Sequence, residues 1–259
     1  GGKNNASGKL IYSARVIPYR GSWLDFEFDQ KDLIYVRIDR RRKFPVTILL
    51  KALGYSVEHL LQHFYDLDKV SVRKGKLYRD LDIIDPASGE VLVKSGRRIT
   101  RAVVKRVTSL NLKEIEVSIE ELEGKVIAKP IIDEETGEII ADANAEVTRD
   151  AIERAMAAGI TEFHLIFFDG LSVGPYLRNT LLVDKVNTAE ESLIEIYKRL
   201  RPGEPPTPEA SDIFFKRLFF DPETYDLSEV GRLKINHRFS IPFEETPVDH
   251  RTLTKKDIL

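Results

Sequence analysis

The chain has 259 residues, 42% hydrophobic and 32% charged, enough for one large domain or two modest ones. The absence of cysteine excludes disulfides, thiol nucleophiles and cysteine-ligated zinc or iron–sulfur centres. No apolar run approaches the ~20 residues of a membrane helix, and Gly1–Gly8 lacks the apolar core of a signal peptide, which fits an intracellular protein. The net charge of −2 argues, as a sum, against nucleic-acid binding, but a sum hides its distribution.

In chain order, Leu10–Pro18 alternates as a strand, and Leu24–Asp29 alternates apolar and acidic residues at the period of a half-buried strand. Gln30-Lys31-Asp32 joins it to a third strand, Leu33–Asp39. Pro45 opens a helix over Val46–Leu53 that stops at Gly54, and Ser56 caps another over Val57–Tyr65. Beyond the Gly174-Pro175 break, Thr188 and Glu191 form a capping box for a helix running to Leu200. The proline-rich stretch 201–207 reads as a stiff, extended loop. Pro208 then starts a helix over Glu209–Phe219, whose aromatic residues suit a core. Residues 252–259 look like a capped helix without its body, as expected of a segment cut from a longer chain.

Composition divides the chain near residues 65 and 173. Residues 1–65 carry 11 Lys/Arg and 6 Asp/Glu, a net of +5, whereas 66–173 carry 16 and 21, a net of −5. The basic peak is Arg37-Ile38-Asp39-Arg40-Arg41-Arg42-Lys43. Such a run can cradle phosphates or form a solvated turn after a strand.

The middle segment repeats itself, in copies spanning about 75–117 and 124–168. Asp85–Glu90 aligns with Asp133–Glu138, Thr100 with Thr148, and Glu114 with Glu162, all at an offset of 48. Each copy reads as a β-hairpin, a helix and a strand. Asp and Gly set the hairpin turn, Thr100 and Thr148 cap helices over Ala102–Leu110 and Ala151–Ala158, and Asn111 and Gly159 end them. The closing strands are Glu114–Ile119 and Glu162–Phe168. Residues 71–113 carry a net of +7 and residues 114–173 a net of −11, a contrast that fits docking of the copies on each other or on a partner, or two solvated faces.

Phosphate-loop, dinucleotide and nucleophile-elbow signatures are absent from the sequence. His59 and His63 share a helix face but lack the glutamate and third ligand of a zinc site, so they read as ordinary helix histidines.

The stretch Ile17–Asp29, containing Arg20-Gly21-Ser22-Trp23-Leu24-Asp25-Phe26-Glu27-Phe28, followed by Val36–Lys43, strongly resembles the β-subunit family of bacterial RNA polymerases. Arg201–Thr207 and Tyr225–Asn236 extend the match in order. The resemblance implies an α+β fold: a mixed lobe (β2) domain, 1–65 with 174–259, interrupted by a lineage-specific insertion, 66–173, made of the duplicated module. It implies transcription, with the lobe lining the DNA cleft and the insertion serving as a docking surface. The alternative is a protein-interaction scaffold without DNA contacts of its own.

Under this resemblance Arg40, Arg41, Arg42 and Lys43 would contact phosphates of promoter and downstream DNA, mainly of the non-template strand. Trp23 would stack on an unpaired base near the start site, or instead anchor the core under Leu24–Phe28. Asp39 would bond a base edge, or hold Arg37 and Arg41. Arg201, Pro202, Gly203, Glu204, Pro205, Pro206 and Thr207 would form a gate loop whose Arg201 meets a phosphate, or a plain connector. Arg232, Lys234 and Asn236 would reach nucleic acid or play a structural part. The implied partners are DNA, the β′, α and ω subunits, sigma factor and regulators, with no membrane. No cofactor is expected in this segment, the catalytic magnesium belonging to β′. The implied location is the bacterial cytoplasm, at the nucleoid.

Overall fold

The computed structural model describes residues 2–4, 10–80, 114–168 and 174–259. They form helices and antiparallel sheets, an α+β arrangement. The chain divides into two compact units, Gly1–Tyr55 with Tyr176–Leu259, and Ser56–Pro175.

The first unit opens with a meander of strands in sequence order: β1 Gly2–Asn4, β2 Leu10–Val16, β3 Leu24–Phe28, β4 Ile34–Ile38 and β5 Phe44–Pro45. Between β3 and β4 the Asp29 carboxylate accepts hydrogen bonds from the Lys31 and Leu33 amides (2.8 and 2.9 Å), which closes the expected turn. Helix α1, Val46–Ala52, follows Pro45 directly, and Gly54 ends it at φ +96°.

The second unit starts with α2, Val57–Phe64, where the Ser56 hydroxyl accepts from the His59 amide (3.1 Å). Strand β6, Asp66–Arg73, is the centre of a five-stranded sheet. On one side it carries β7, Lys76–Asp80, and β8, Glu114–Val117. Helix α3, Ile119–Leu122, precedes β9, Val126–Ile127, which pairs with the last strand of the unit. A separate hairpin joins β10, Ile131–Ile132, to β11, Ile139–Ala141. In its turn Asp133 accepts from the amides of Glu135 and Thr136, and Gly137 takes φ +74°, as the Asp-and-Gly pattern predicts. Helix α4, Arg149–Ala157, is capped by Thr148, and Gly159 follows at φ +72°. Strand β12, Glu162–Phe167, lies on the other side of β6, between it and β9. Val70, Leu77, Ile127, Ile152, Phe163 and Leu165 are central to the core.

Two local expectations change. The strand expected over Glu114–Ile119 stops at Val117, because Ser118 and Glu121 form a capping box that starts α3. Strand β6 carries no clear strand signal, since Asp66, Asp68 and Lys69 interrupt its apolar alternation. Asp68 is nevertheless buried and paired with Arg79. The Asp85–Glu90 turn, the Thr100 cap, the helix over Ala102–Leu110 and Asn111 lie outside the described residues.

The chain returns to the first unit with α5, Tyr176–Val183, α6, Ala189–Leu200, α7, Pro208–Phe219, α8, Ser228–Phe239, and α9, Lys255–Ile258. The Thr188–Glu191 capping box and the Thr207 cap are both formed. Helix α5 lacks a cap signal in the sequence, which shows only the Gly174-Pro175 break before it. Helix α6 packs between α1 and α7.

Buried polar groups tie the ends of this unit together. The Asp184 carboxylate accepts from the Thr47 hydroxyl (2.7 Å) and the Lys51 ammonium (2.9 Å). The Ile34 amide donates to the Thr180 hydroxyl oxygen (2.9 Å). Arg232 is fully buried in a fork on Asp257 (2.8 and 2.9 Å) and donates to the His250 carbonyl (2.8 Å). Asn236, 1% exposed, donates to the Thr246 carbonyl. Arg232 and Asn236 are therefore structural, which decides that alternative against nucleic-acid contact.

Candidate nucleic-acid interface

The geometry around Trp23 starts at the end of β2. Arg20 and Asp226 pair as an antiparallel bridge, with amide-to-carbonyl bonds of 3.1 and 2.7 Å in the two directions. This seats Gly21 against Tyr225 at φ +125°, where an added Cβ would stand 2.6 Å from Tyr225 Cδ2. Only glycine suits both the dihedral and the close approach. Tyr225 is fully buried, and burial pushes its phenol well above the ordinary range.

Two residues on, the Trp23 amide donates to Asp39 Oδ1 (2.8 Å), and the Asp39 amide donates back to the Trp23 carbonyl (3.0 Å). Asp39 thus bonds the backbone beside the indole, a role distinct from either one the sequence suggests. Asp39 and Arg40 take φ of +49° and +58°, and the Arg41 amide closes the turn on the Ile38 carbonyl (3.0 Å). Two consecutive positive φ values define the tight primed turn that normally uses Asn-Gly. The turn carries the Arg40 guanidinium over the indole, with Cζ 4.4 Å from the ring centroid, while Arg15 lies at 5.8 Å. Trp23 itself is half-buried, neither a core anchor nor a free plate.

The five cations of the expected site differ in their surroundings. Arg40, Arg41 and Arg42 are exposed and without an ion-pair partner among the described residues. Lys43 is instead bound to Glu27 Oε1 (2.8 Å) and lies over Tyr35 (4.5 Å). Burial raises the Glu27 carboxyl, but Lys43 and then Arg37 outweigh it and hold the group below its usual value. Arg201, at the end of α6, is neutralised by Glu204 (3.2 Å) and stacks over Phe214 (4.9 Å).

Residues 201–207 are less extended than their prolines suggest. The Glu204 amide bonds the Arg201 carbonyl (3.3 Å) and Gly203 takes φ +89°, so the loop begins with a tight turn. The Tyr197 hydroxyl donates to Glu204 (2.9 Å), and with Arg201 it keeps that carboxyl below its usual value. Two residues before Arg201, Arg199 reaches the Lys43 carbonyl (3.4 Å) and the Phe44 ring, so the end of α6 adjoins the end of the basic run. Arg15, Tyr225 and Phe214 carry no site signal in the sequence. Each takes its role from a contact made in the fold, Tyr225 with a residue some two hundred positions away. Among the described residues no group of three or more His, Asp or Glu is placed to hold a metal ion, and the His59 and His63 rings stack at 6.4 Å.

Residues 2–82 match the family described as RNA polymerase Rpb2, domain 2. The whole chain aligns at 73% identity with the DNA-directed RNA polymerase subunit beta of Bdellovibrio bacteriovorus, over 271 residues. The chain belongs to the bacterial RNA polymerase β-subunit family. It spans 19% of the length of that β subunit. Subunits of the same name from a Geobacter species and from Syntrophotalea carbinolica align over the whole chain at 53% and 50% identity, again covering about a fifth of the relative. The quoted β-subunit motifs thus fall in the unit that holds Trp23, the Asp39-Arg40 turn and the loop 201–207. None of the described helices is long and apolar enough to cross a membrane.

Proposed function

We propose that this β segment borders the path of promoter and downstream DNA in a cytoplasmic, nucleoid-associated DNA-directed RNA polymerase, a nucleotidyltransferase. Its partners in this reading are β′, α, ω and sigma, and β′ holds the catalytic magnesium. The observation that carries the reading is the exposed, uncompensated trio Arg40, Arg41 and Arg42 beside the half-buried indole of Trp23. Guanidinium groups supply sequence-independent phosphate affinity, and an aromatic face supplies stacking for an unpaired base. Residues 201–207 act as a gate loop near the end of the basic run. Arg201 and Lys43 contribute to phosphate binding only by leaving Glu204 and Glu27.

The test uses assembled polymerase and the salt dependence of promoter binding. Each neutralised phosphate adds ~0.7–0.9 to the slope of log K against log salt, so Arg41→Ala with Arg42→Ala is expected to lower that slope by roughly 1.4–1.8. Lys43→Ala is expected to change it far less. An unchanged slope in the double variant overturns the phosphate role.

Residues 66–173 are, in this reading, an inserted duplicated module that docks regulators. The strand pairing supports the duplication: β7 runs antiparallel to β8 as β9 does to β12, with Leu77, Ile127 and Leu165 in the core. A scaffold role is favoured by the exposed cross-strand pair Ile132–Ile139 beside the acidic turn Asp133–Glu138. Replacing both isoleucines by threonine in assembled polymerase should weaken regulator action while leaving promoter binding unchanged. The opposite pattern counts against docking there.

A further inference from the structure

We propose that Arg40 is a positioning residue for Trp23, covering one face of the indole so that a base stacks on the other. This builds on the stacking reading of Trp23. A phosphate-binding arginine needs only reach and charge, and Arg41 and Arg42 have both in the same exposed run. Arg40 differs in three respects.

Its backbone is left-handed, as is that of Asp39 before it, a conformation disfavoured for any residue with a Cβ. The turn is bonded to Trp23 itself, through the Asp39 carboxylate and the Asp39 amide. Indole and guanidinium therefore ride on one hydrogen-bonded frame. Finally, the guanidinium carbon lies 4.4 Å from the ring centroid, the nearer of the two arginines over the indole, with Arg15 at 5.8 Å.

The planar guanidinium stacks on an aromatic face as a base would, and an ammonium does not. With one face taken, the indole presents a single face to an incoming base and is held at a fixed tilt by the charge behind it. Loss of the plane frees the ring to rotate and lowers the stacking contribution, even where positive charge is kept.

The experiment uses assembled polymerase on promoters that differ only in the non-template base near the start site. Open-complex lifetimes are measured at several salt concentrations for wild type, Trp23→Ala, Arg40→Lys and the double variant. A base–aromatic stack corresponds to about 5- to 150-fold in lifetime. Trp23→Ala is expected to collapse the base-dependent ratio of lifetimes. Arg40→Lys is expected to reduce that ratio about 3-fold or more while preserving the salt slope, and the double variant should match Trp23→Ala.

If Arg40→Lys keeps the wild-type ratio while Trp23→Ala loses it, the positioning role is overturned and the stacking reading stands. If Trp23→Ala keeps the wild-type ratio, the stacking reading fails and the positioning role fails with it. Additive effects in the double variant also overturn it, because a residue acting through Trp23 has nothing to position once the indole is gone.

Discussion

At Gly21 a single missing Cβ lets β2 run past Tyr225 and turn into Trp23. Gly21→Ala combines a disfavoured dihedral with a 2.6 Å approach to a fully buried ring. Gly203→Ala, at φ +89° with nothing within 4 Å, meets the dihedral cost alone. The expectation is a loss of about 2 kcal/mol or more for Gly21→Ala and about 1 kcal/mol for Gly203→Ala, read from urea unfolding. Equal losses would mean that Tyr225 yields. Arg232 makes the same kind of point for charge. Arg232→Met leaves the Asp257 carboxylate buried without its cation, with an expected loss of ~3–5 kcal/mol. Arg232→Met with Asp257→Leu is expected to recover part of it, because no orphaned charge remains.

Elements in this chain are set by their ends as much as by their apolar faces. Thr188 and Thr148 each accept from the amide three residues on, and replacing either by Ala is expected to cost about 1 kcal/mol in urea unfolding. Helices α3 and α4 are linked by Glu120 and Arg149. The Arg149 guanidinium, aided by local backbone and Ser118 hydrogen bonds, lowers the Glu120 carboxyl from 4.5 to about 2. A carboxyl depressed in the folded state stabilises fully above its unfolded value and loses that contribution as pH falls. Glu120→Gln should therefore flatten the acid side of the stability profile, from about pH 4.5 downward. An unaltered profile would show that the pair contributes nothing.

These end signals explain what is legible in the sequence. The Thr188 box, Pro208, Gly54 and the Asp133–Gly137 turn are local codes, readable without a partner. Helix α5, strand β6 and the Asp39-Arg40 turn are not. Helix α5 forms by packing on α1, and β6 buries Asp68 because Arg79 lies across the ladder. The turn holds two non-glycine residues at positive φ because Trp23 bonds it from sixteen residues away. The candidate site is legible as residue types, in the basic run and the lone tryptophan. Which cations of the basic run are compensated is not, since Glu27 meets Lys43 only in the fold.

At the scale of the whole molecule, the first unit is split in sequence by the second. Its halves are joined by groups of its own, Thr47 and Lys51 with Asp184, and Ile34 with Thr180. Excising residues 56–175 and closing the gap with a flexible linker is therefore expected to leave a cooperatively unfolding first unit. Adding Asp184→Ala to that shortened chain should destabilise it by ~3–5 kcal/mol, since Lys51 is left buried and unpaired. Gradual, non-cooperative melting of the shortened chain would refute the independence of the unit.

The Lys51–Asp184 pair also sets an order of events during synthesis. Chains emerge from the ribosome at about 5–20 residues per second and fold as domains appear. The second unit is continuous and is complete once Pro175 is out. Helix α1, made earlier, waits for a carboxylate more than a hundred residues downstream. The later-made unit is thus expected to close before the first, and proteolysis of chains arrested just past Pro175 should find it protected while residues 10–55 are still cut.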